Sequence, residues 1–185
     1  MFIQTEDTPN PDAIKFFPGQ EISTQPIFFS EQAEVKGKSK LAESLFSINN
    51  VKSIFFGSDF ITVTKQAGSD WQVIKPEVLM IIMDHFVAGM QIFEENTQSE
   101  NINLEGLSDI EKQIIEIIET RVRPSVAQDG GDIIYKGFEN GIVKLALHGA
   151  CRGCPSSTIT LKNGIESMLK HFVPEVVEVE AIEED

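Results

Sequence analysis

Cys151 and Cys154 are the only two thiols in a chain of 185 residues. A thiolate pair with two residues between can grip one metal centre or close a local disulfide. Gly149 on the approach and Gly153 between the cysteines let the backbone turn tightly around the sulfurs. Pro155 suits the first position of a helix. The pair therefore falls just ahead of a helix N-terminus, where free N–H groups and the positive dipole end favour the thiolate. The flanking glycines and Arg152 predict an exposed loop.

Four chemistries fit such a pair. A disulfide oxidoreductase carries it between a strand and a helix within a βαβ unit, whereas a hairpin pattern comes first here. A structural zinc site needs four ligands, and His85, His148 and His171 have no finger spacing. Two idle thiols in a turn are the third reading. An iron–sulfur cluster normally takes four cysteines. One chain has two, and two chains about a two-fold axis have four, on identical loops face to face. The pair by itself leaves these readings open.

The elements that must position the loop are legible around it. Ser108 followed by Glu111 is a capping-box pattern. Ile110, Ile114, Ile115, Ile117, Ile118 and Val122 then follow a helical period, and Pro124 ends or kinks that helix. Asp129-Gly130-Gly131-Asp132 reads as a turn. Residues 133–136 and 142–147 read as strands joined at Asn140-Gly141, a hairpin signal. The cysteine loop follows, then a helix over about 156–172 stopped by Pro174, then a strand around Val176, Val177 and Val179. The order is helix, strand, strand, cysteine loop, helix, strand.

The first half reads as a second small α+β unit. Residues 2–4 and 13–17 are β-type stretches separated by Thr8-Pro9-Asn10-Pro11. Residues 39–46 form a short amphipathic helix, and 51–56 and 60–64 a hairpin around Gly57-Ser58-Asp59. A longer helix runs over about 77–90, with Pro76 in its first turn. Between the halves, residues 94–101 have no apolar residue and no periodicity, which marks a linker. The expected architecture is α+β: two small α/β-layered domains, 1–93 and 107–185, joined by a flexible linker over 94–106.

Charge narrows the partners. The chain has 15 Lys and Arg against 29 Asp and Glu, a formal net charge of −14. Neither half is basic, which argues against nucleic acid and against an anionic membrane surface. The longest apolar run, Val78 to Met83, is far short of the ~20 residues that span a bilayer. The first twenty residues lack the apolar core of a signal peptide, and no arginine precedes Arg121. A cytoplasmic protein is expected, or a mature form without its presequence.

Taken together, Val122-Arg123-Pro124, Asp129-Gly130-Gly131-Asp132, Gly149 through Ser157, Thr160 through Glu166 and Pro174-Glu175-Val176 resemble the NifU-like C-terminal domain. The first half is similar to the N-terminal domain of Nfu-type proteins, through Phe2-Ile3-Gln4-Thr5, Thr8-Pro9-Asn10-Pro11, Lys15-Phe16, Phe55-Phe56-Gly57, residues 60–65 and Trp71. The resemblance covers nearly the whole chain. It implies a non-enzymatic iron–sulfur carrier or scaffold that binds a [4Fe–4S] cluster between two subunits. Carried over by position, Cys151 and Cys154 are the cluster ligands. The implied partners are a second copy in a cluster-bound homodimer, upstream cluster assembly proteins, and recipient apoproteins. The implied compartment is the bacterial cytoplasm, with the mitochondrial matrix as the alternative for a mature form. The rival from another class is a thiol–disulfide oxidoreductase using the same pair.

The neighbours carry plainer readings beside functional ones. Asp129 and Asp132 are hard metal ligands or the flanks of a glycine turn. Arg152 shields an anionic cluster or is a solvated loop charge. Ser156 and Ser157 donate to cluster sulfides or cap the helix. His148 is a proton carrier, a ligand or a loop residue. His171 fits a helix C-terminus. Trp71 is a partner anchor or packing. The acidic tail from Glu178 reads as solvated.

Overall fold

Alternating apolar residues in the first half line one face of a sheet and so demand a cover. The structure, a computed structural model, describes residues 2–94, 106–153 and 155–182, with 155–157 by backbone alone. Its contacts divide the chain into two compact units, Met1–Glu100 and Asn101–Asp185. Both contain helices and sheet, which is the expected α+β class. Most of the expected linker, residues 95–105, lies outside the described residues.

In the first unit, strands β1 (Gln4–Asp7), β2 (Ala13–Phe17), β3 (Ile27–Phe29), β4 (Val51–Phe56) and β5 (Ile61–Lys65) pair antiparallel in the order β1-β2-β5-β4-β3. The pairing aligns Ile14 with Val63 and Ile54, and Phe16 with Ile61 and Phe56. Those rows are buried against Leu41 and Leu45 of α2 (Lys40–Phe46) and Ile74, Val78 and Ile82 of α3 (Trp71–Val87), with α1 (Gln32–Val35) before them. Each such side chain stabilises the unit by about 1.5–3 kcal/mol relative to exposure. Two basic residues on β2 and β5 are buried with partners: Lys15 pairs with Glu6, and Lys65 with Asp12.

Three features differ from the sequence expectation here. The first strand starts at Gln4, two residues later than expected, and Phe2 is exposed. β3 and α1 are additional elements, too short for periodicity to reveal. The long helix begins at Trp71, not near 77, because the Asp70 carboxylate accepts from the Gln72 N–H at 2.8 Å and caps it. Pro76 therefore sits inside α3 rather than in its first turn. Trp71 is held by its indole N–H, which donates to the Pro11 carbonyl at 3.0 Å. The outer side of α3 is apolar too, exposing Val73, Met80, Met83 and Val87.

The second unit follows the expected order. α4 (Asp109–Ile117) opens on a capping box: the Glu111 N–H donates to the Ser108 hydroxyl, and the Ser108 N–H to the Glu111 carboxylate. A wider π turn over Ile118–Val122 leads into α5 (Arg123–Gln128). The helical path thus continues past Pro124 instead of ending there. Pro124 stands where the π turn passes into α5. β6 (Gly131–Glu139) and β7 (Ile142–Gly149) form the hairpin, turning at Asn140-Gly141. α6 (Pro155–Phe172) crosses back, and β8 (Glu178–Ile182) pairs parallel to β7. The last strand starts later than expected: Val176 is buried in the preceding turn, and the Val177 N–H donates to the Gly141 carbonyl at 2.7 Å.

Helices and sheet enclose one core that includes Ile114, Ile118, Val126, Ile133, Leu145, Ile165 and Leu169. Polar ties fix the layers. The Tyr135 hydroxyl donates to Glu111 at 3.0 Å, joining β6 to α4. The Val179 N–H donates to Glu166 at 3.1 Å, joining β8 to α6. Among the described residues, no helix is long and apolar enough to cross a membrane.

Candidate functional site

The cysteine loop leaves the end of β7 and enters α6 at Pro155. Gly149 (φ 64) and Gly153 (φ 74) both take the left-handed backbone, which a residue with a Cβ adopts only at a cost. They bracket Cys151 and let the chain reverse twice within five residues. The Ala150 N–H donates to the Gly130 carbonyl at 3.1 Å and the Arg152 N–H to Gly149 at 3.1 Å, so the loop is fastened to the entrance of β6.

Cys151 is not on an exposed loop surface as the sequence predicts. It is only 5% exposed and belongs to the same apolar core as Ile133 and Leu169. The reason is the opposite residue. Gly131 pairs with Gly149 across the ladder. A Cβ built on Gly131 would stand 2.5 Å from the Cys151 Sγ and 2.8 Å from the His148 carbonyl oxygen. The missing side chain is the space that the thiol occupies. Cys154 lies outside the described residues, as do the side chains of Ser156 and Ser157.

An ion pair holds the start of β6 in place. The Arg123 guanidinium donates through Nε and Nη2 to the two oxygens of Asp132, each at 2.8 Å. Its Nη1 donates to Glu119 at 2.8–2.9 Å. The Asp132 side chain is 5% exposed, and burying a carboxylate without such a partner is costly. The hydrogen bonds it donates to Asp132 push Arg123 above even its ordinary value, against the opposing effect of burial. Asp132 is thus the anchor of a helix–strand tie, with both oxygens engaged by arginine. Asp129 is exposed, and Arg152 and His148 are half-buried at the loop.

The structure brings together Cys151, Gly131, Gly149 and His148, and it ties Asp132 to Arg123 next to them. The sequence marks both Arg123 and Asp132 but not their pairing, and Gly131 reads there as a turn residue rather than a packing gap. The signal for the first was an arginine nine positions before an aspartate that ends a glycine turn. For the second there was none, because a glycine's missing side chain points nowhere in a sequence. Among the described residues, no group of three or more His, Cys, Asp or Glu side chains is placed to hold a metal ion. A centre with four thiolate ligands therefore needs cysteines from more than one copy of this two-cysteine chain.

Known proteins match the whole length of this arrangement. The family profile described as "Scaffold protein Nfu/NifU N terminal" matches residues 3–89, and the "NifU-like domain" profile matches residues 114–180. A human protein named "NFU1 iron-sulfur cluster scaffold homolog, mitochondrial" is 49% identical over 100% of this chain and 73% of its own length. The protein of that name from Drosophila ananassae is 46% identical over 98% of this chain and 64% of its own. The chain thus spans roughly two thirds to three quarters of these relatives. A solution NMR structure of a NifU-like protein from Saccharomyces cerevisiae is 28% identical, with a TM-score of 0.47, over 52% of this chain and 87% of that one. With two family profiles in the order of its two units, and relatives near half identity along its entire length, the chain belongs to the Nfu/NifU family of scaffold proteins.

Proposed function

We propose that this chain carries an iron–sulfur cluster as cargo, holds it between two copies through Cys151 and Cys154, and passes it to recipient apoproteins. The observation that carries this reading is where the cysteine loop falls. It lies inside the residues matched to the NifU-like domain, in a chain 49% identical to a protein named as an iron–sulfur cluster scaffold. Two thiolates per chain, doubled by a two-fold axis, supply the four ligands of a [4Fe–4S] cluster. The glycine-bracketed loop suits ligands that must turn toward a second subunit. No bond of a substrate is made or broken by an acid, base or nucleophile in this scheme, so the chain acts as a carrier and not as an enzyme. Upstream assembly proteins load it.

Residues 1–93 and 107–185 serve as separate domains in this reading, with 94–106 as the connection. The first has no cysteine and contributes recognition or positioning. The relatives' names place those proteins in mitochondria, which favours the matrix reading of the compartment over the bacterial cytoplasm.

The test is anaerobic reconstitution with ferrous iron and sulfide. About four iron and four sulfide per dimer are expected, with the binding lost on Cys154→Ser. A protein that stays monomeric and iron-free sinks the proposal. Rapid reduction of a protein disulfide that needs both cysteines would favour the oxidoreductase instead.

A further inference from the structure

We infer that Cys151 has two positions, and that Gly131 is the seat that holds it in the inner one. In the apo protein this ligand is packed in the core. Loading draws it out, and its return to the seat drives release. The inference rests on the reading of Cys151 as a cluster ligand.

The first observation is burial. A cluster shared between two copies must meet each sulfur from outside its own subunit. Cys151 is 5% exposed and belongs to the core that holds Ile133, Ile165 and Leu169. A residue so buried offers little of itself to iron bound also by a partner chain, so ligation calls for Cys151 to move outward. The second observation is the seat. Gly131 leaves a gap that its own Cβ would fill, 2.5 Å from the Cys151 Sγ and 3.1 Å from the Cys151 Cβ. The third is the pair of glycines that flank the cysteine. Gly149 and Gly153 flank the cysteine in backbone conformations that only glycine takes cheaply. The strand behind them is fixed by the Arg123–Asp132 pair, which holds the seat in place while the Cys151 side chain turns.

Binding then competes with packing. If only a fraction of the apo chains holds Cys151 outward, the apparent affinity for the cluster falls by that fraction. The same term favours hand-off. As the recipient's sulfur binds iron, its thiol gives up a proton. The iron–sulfur bond to Cys151 breaks, and the Cys151 sulfur takes up a proton and returns to its seat. One iron–sulfur bond replaces another, and no electron is transferred.

Gly131→Ala fills the seat, and it is tested first in the apo protein, reduced and metal-free. Iodoacetamide labelling of Cys151, followed by peptide mass, is expected to run at least about tenfold slower in the native wild-type chain than in urea. In Gly131→Ala with native circular dichroism it is expected to run at least about tenfold faster than in the native wild type. Once both proteins are reconstituted, the variant is expected to surrender its cluster to a thiol chelator about tenfold more slowly. Labelling of native wild-type Cys151 at the unfolded rate overturns the inference. So does an unchanged rate in folded Gly131→Ala.

The new Cβ also nears the His148 carbonyl, so Gly131→Ala can weaken the fold by itself. Its cost in urea unfolding is therefore measured again in a Cys151→Ala background. A smaller cost there supports the seat, and an equal cost overturns it. The labelling arm needs no cluster, so the two readings fail separately. Fast native labelling with four iron bound removes the seat and keeps the carrier. Slow native labelling with no iron bound removes the carrier.

Discussion

Arg123→Met tests the tie that fixes the strand bearing the seat. Removing one partner of a fully buried ion pair costs about 3–5 kcal/mol, because the other charge stays behind unpaired. The Asp132 side chain is 5% exposed, but that of Arg123 is 26% exposed. Water reaches one end of the pair, so the expected cost is about 2–3 kcal/mol. Glu119, at 40% exposed, adds little. At about 4–8 °C per kcal/mol for a domain of this size, the midpoint should fall by roughly 8–24 °C. The chain has one tyrosine and one tryptophan, and they divide the readout. Tyr135 lies in the second unit and Trp71 in the first. Urea unfolding should show the Tyr135 transition shifted to lower denaturant. Asp132→Leu should weaken the protein similarly, while the double variant Arg123→Met/Asp132→Leu should recover about 1–3 kcal/mol of the summed loss. A cost below about 0.5 kcal/mol for Arg123→Met, or strict additivity in the double variant, would refute the reasoning.

Other predictions follow from the same framework. Hydrogen bonds from the Ser108 N–H and hydroxyl hold Glu111 below its ordinary value of 4.5; its contribution is complete above pH 4.5 and is lost as pH falls through the folded value. Burial, then the bond to Glu111, raises Tyr135 above its ordinary 10.0; its contribution is complete below pH 10 and is lost as pH rises toward the folded value. Urea midpoints against pH should therefore fall at both ends, with Glu111→Gln flattening the acid limb and Tyr135→Phe the alkaline one; an unchanged alkaline limb in Tyr135→Phe contradicts the assignment. Pro76→Ala should restore a backbone donor inside α3 and stabilise the first unit by about 1–3 kcal/mol by the Trp71 signal, and a loss would show that the proline is accommodated without strain. Asp70→Ala should cost about 1 kcal/mol through the lost cap, read the same way.

The second unit was legible because its signals are long or chemically specific. Ser108 and Glu111 announce the cap, six apolar positions announce α4 and the π turn after it, and Asn140-Gly141 announces the hairpin. The first unit was harder. Its β3 and α1 span three and four residues, which is too little for a period to emerge. The start of α3 is hidden because Pro76 resembles a helix opener, while Asp70 is the stronger signal. At the candidate site, the loop, its glycines and the helix after it were readable from spacing. The burial of Cys151 was not. It depends on Gly131 across the ladder, twenty positions away, and on an absent Cβ, so only tertiary pairing reveals it. Arg123 and Asp132 stand nine positions apart in different elements, and nothing local says that they meet.

The π turn at Ile118–Val122 determines where the chain can gain or lose a residue. A π turn holds about one residue more than α winding over the same length of helix. Deleting one residue there is expected to tighten the turn to α winding and leave Arg123 facing Asp132. A deletion between Glu111 and Ile117 has no such slack. It would swing everything upstream by about 100° around the helix axis, carrying Glu111 away from Tyr135. A change of one residue in this helix is thus expected to be tolerated at a single turn, and that turn adjoins Arg123, which holds the strand of the cysteine's seat.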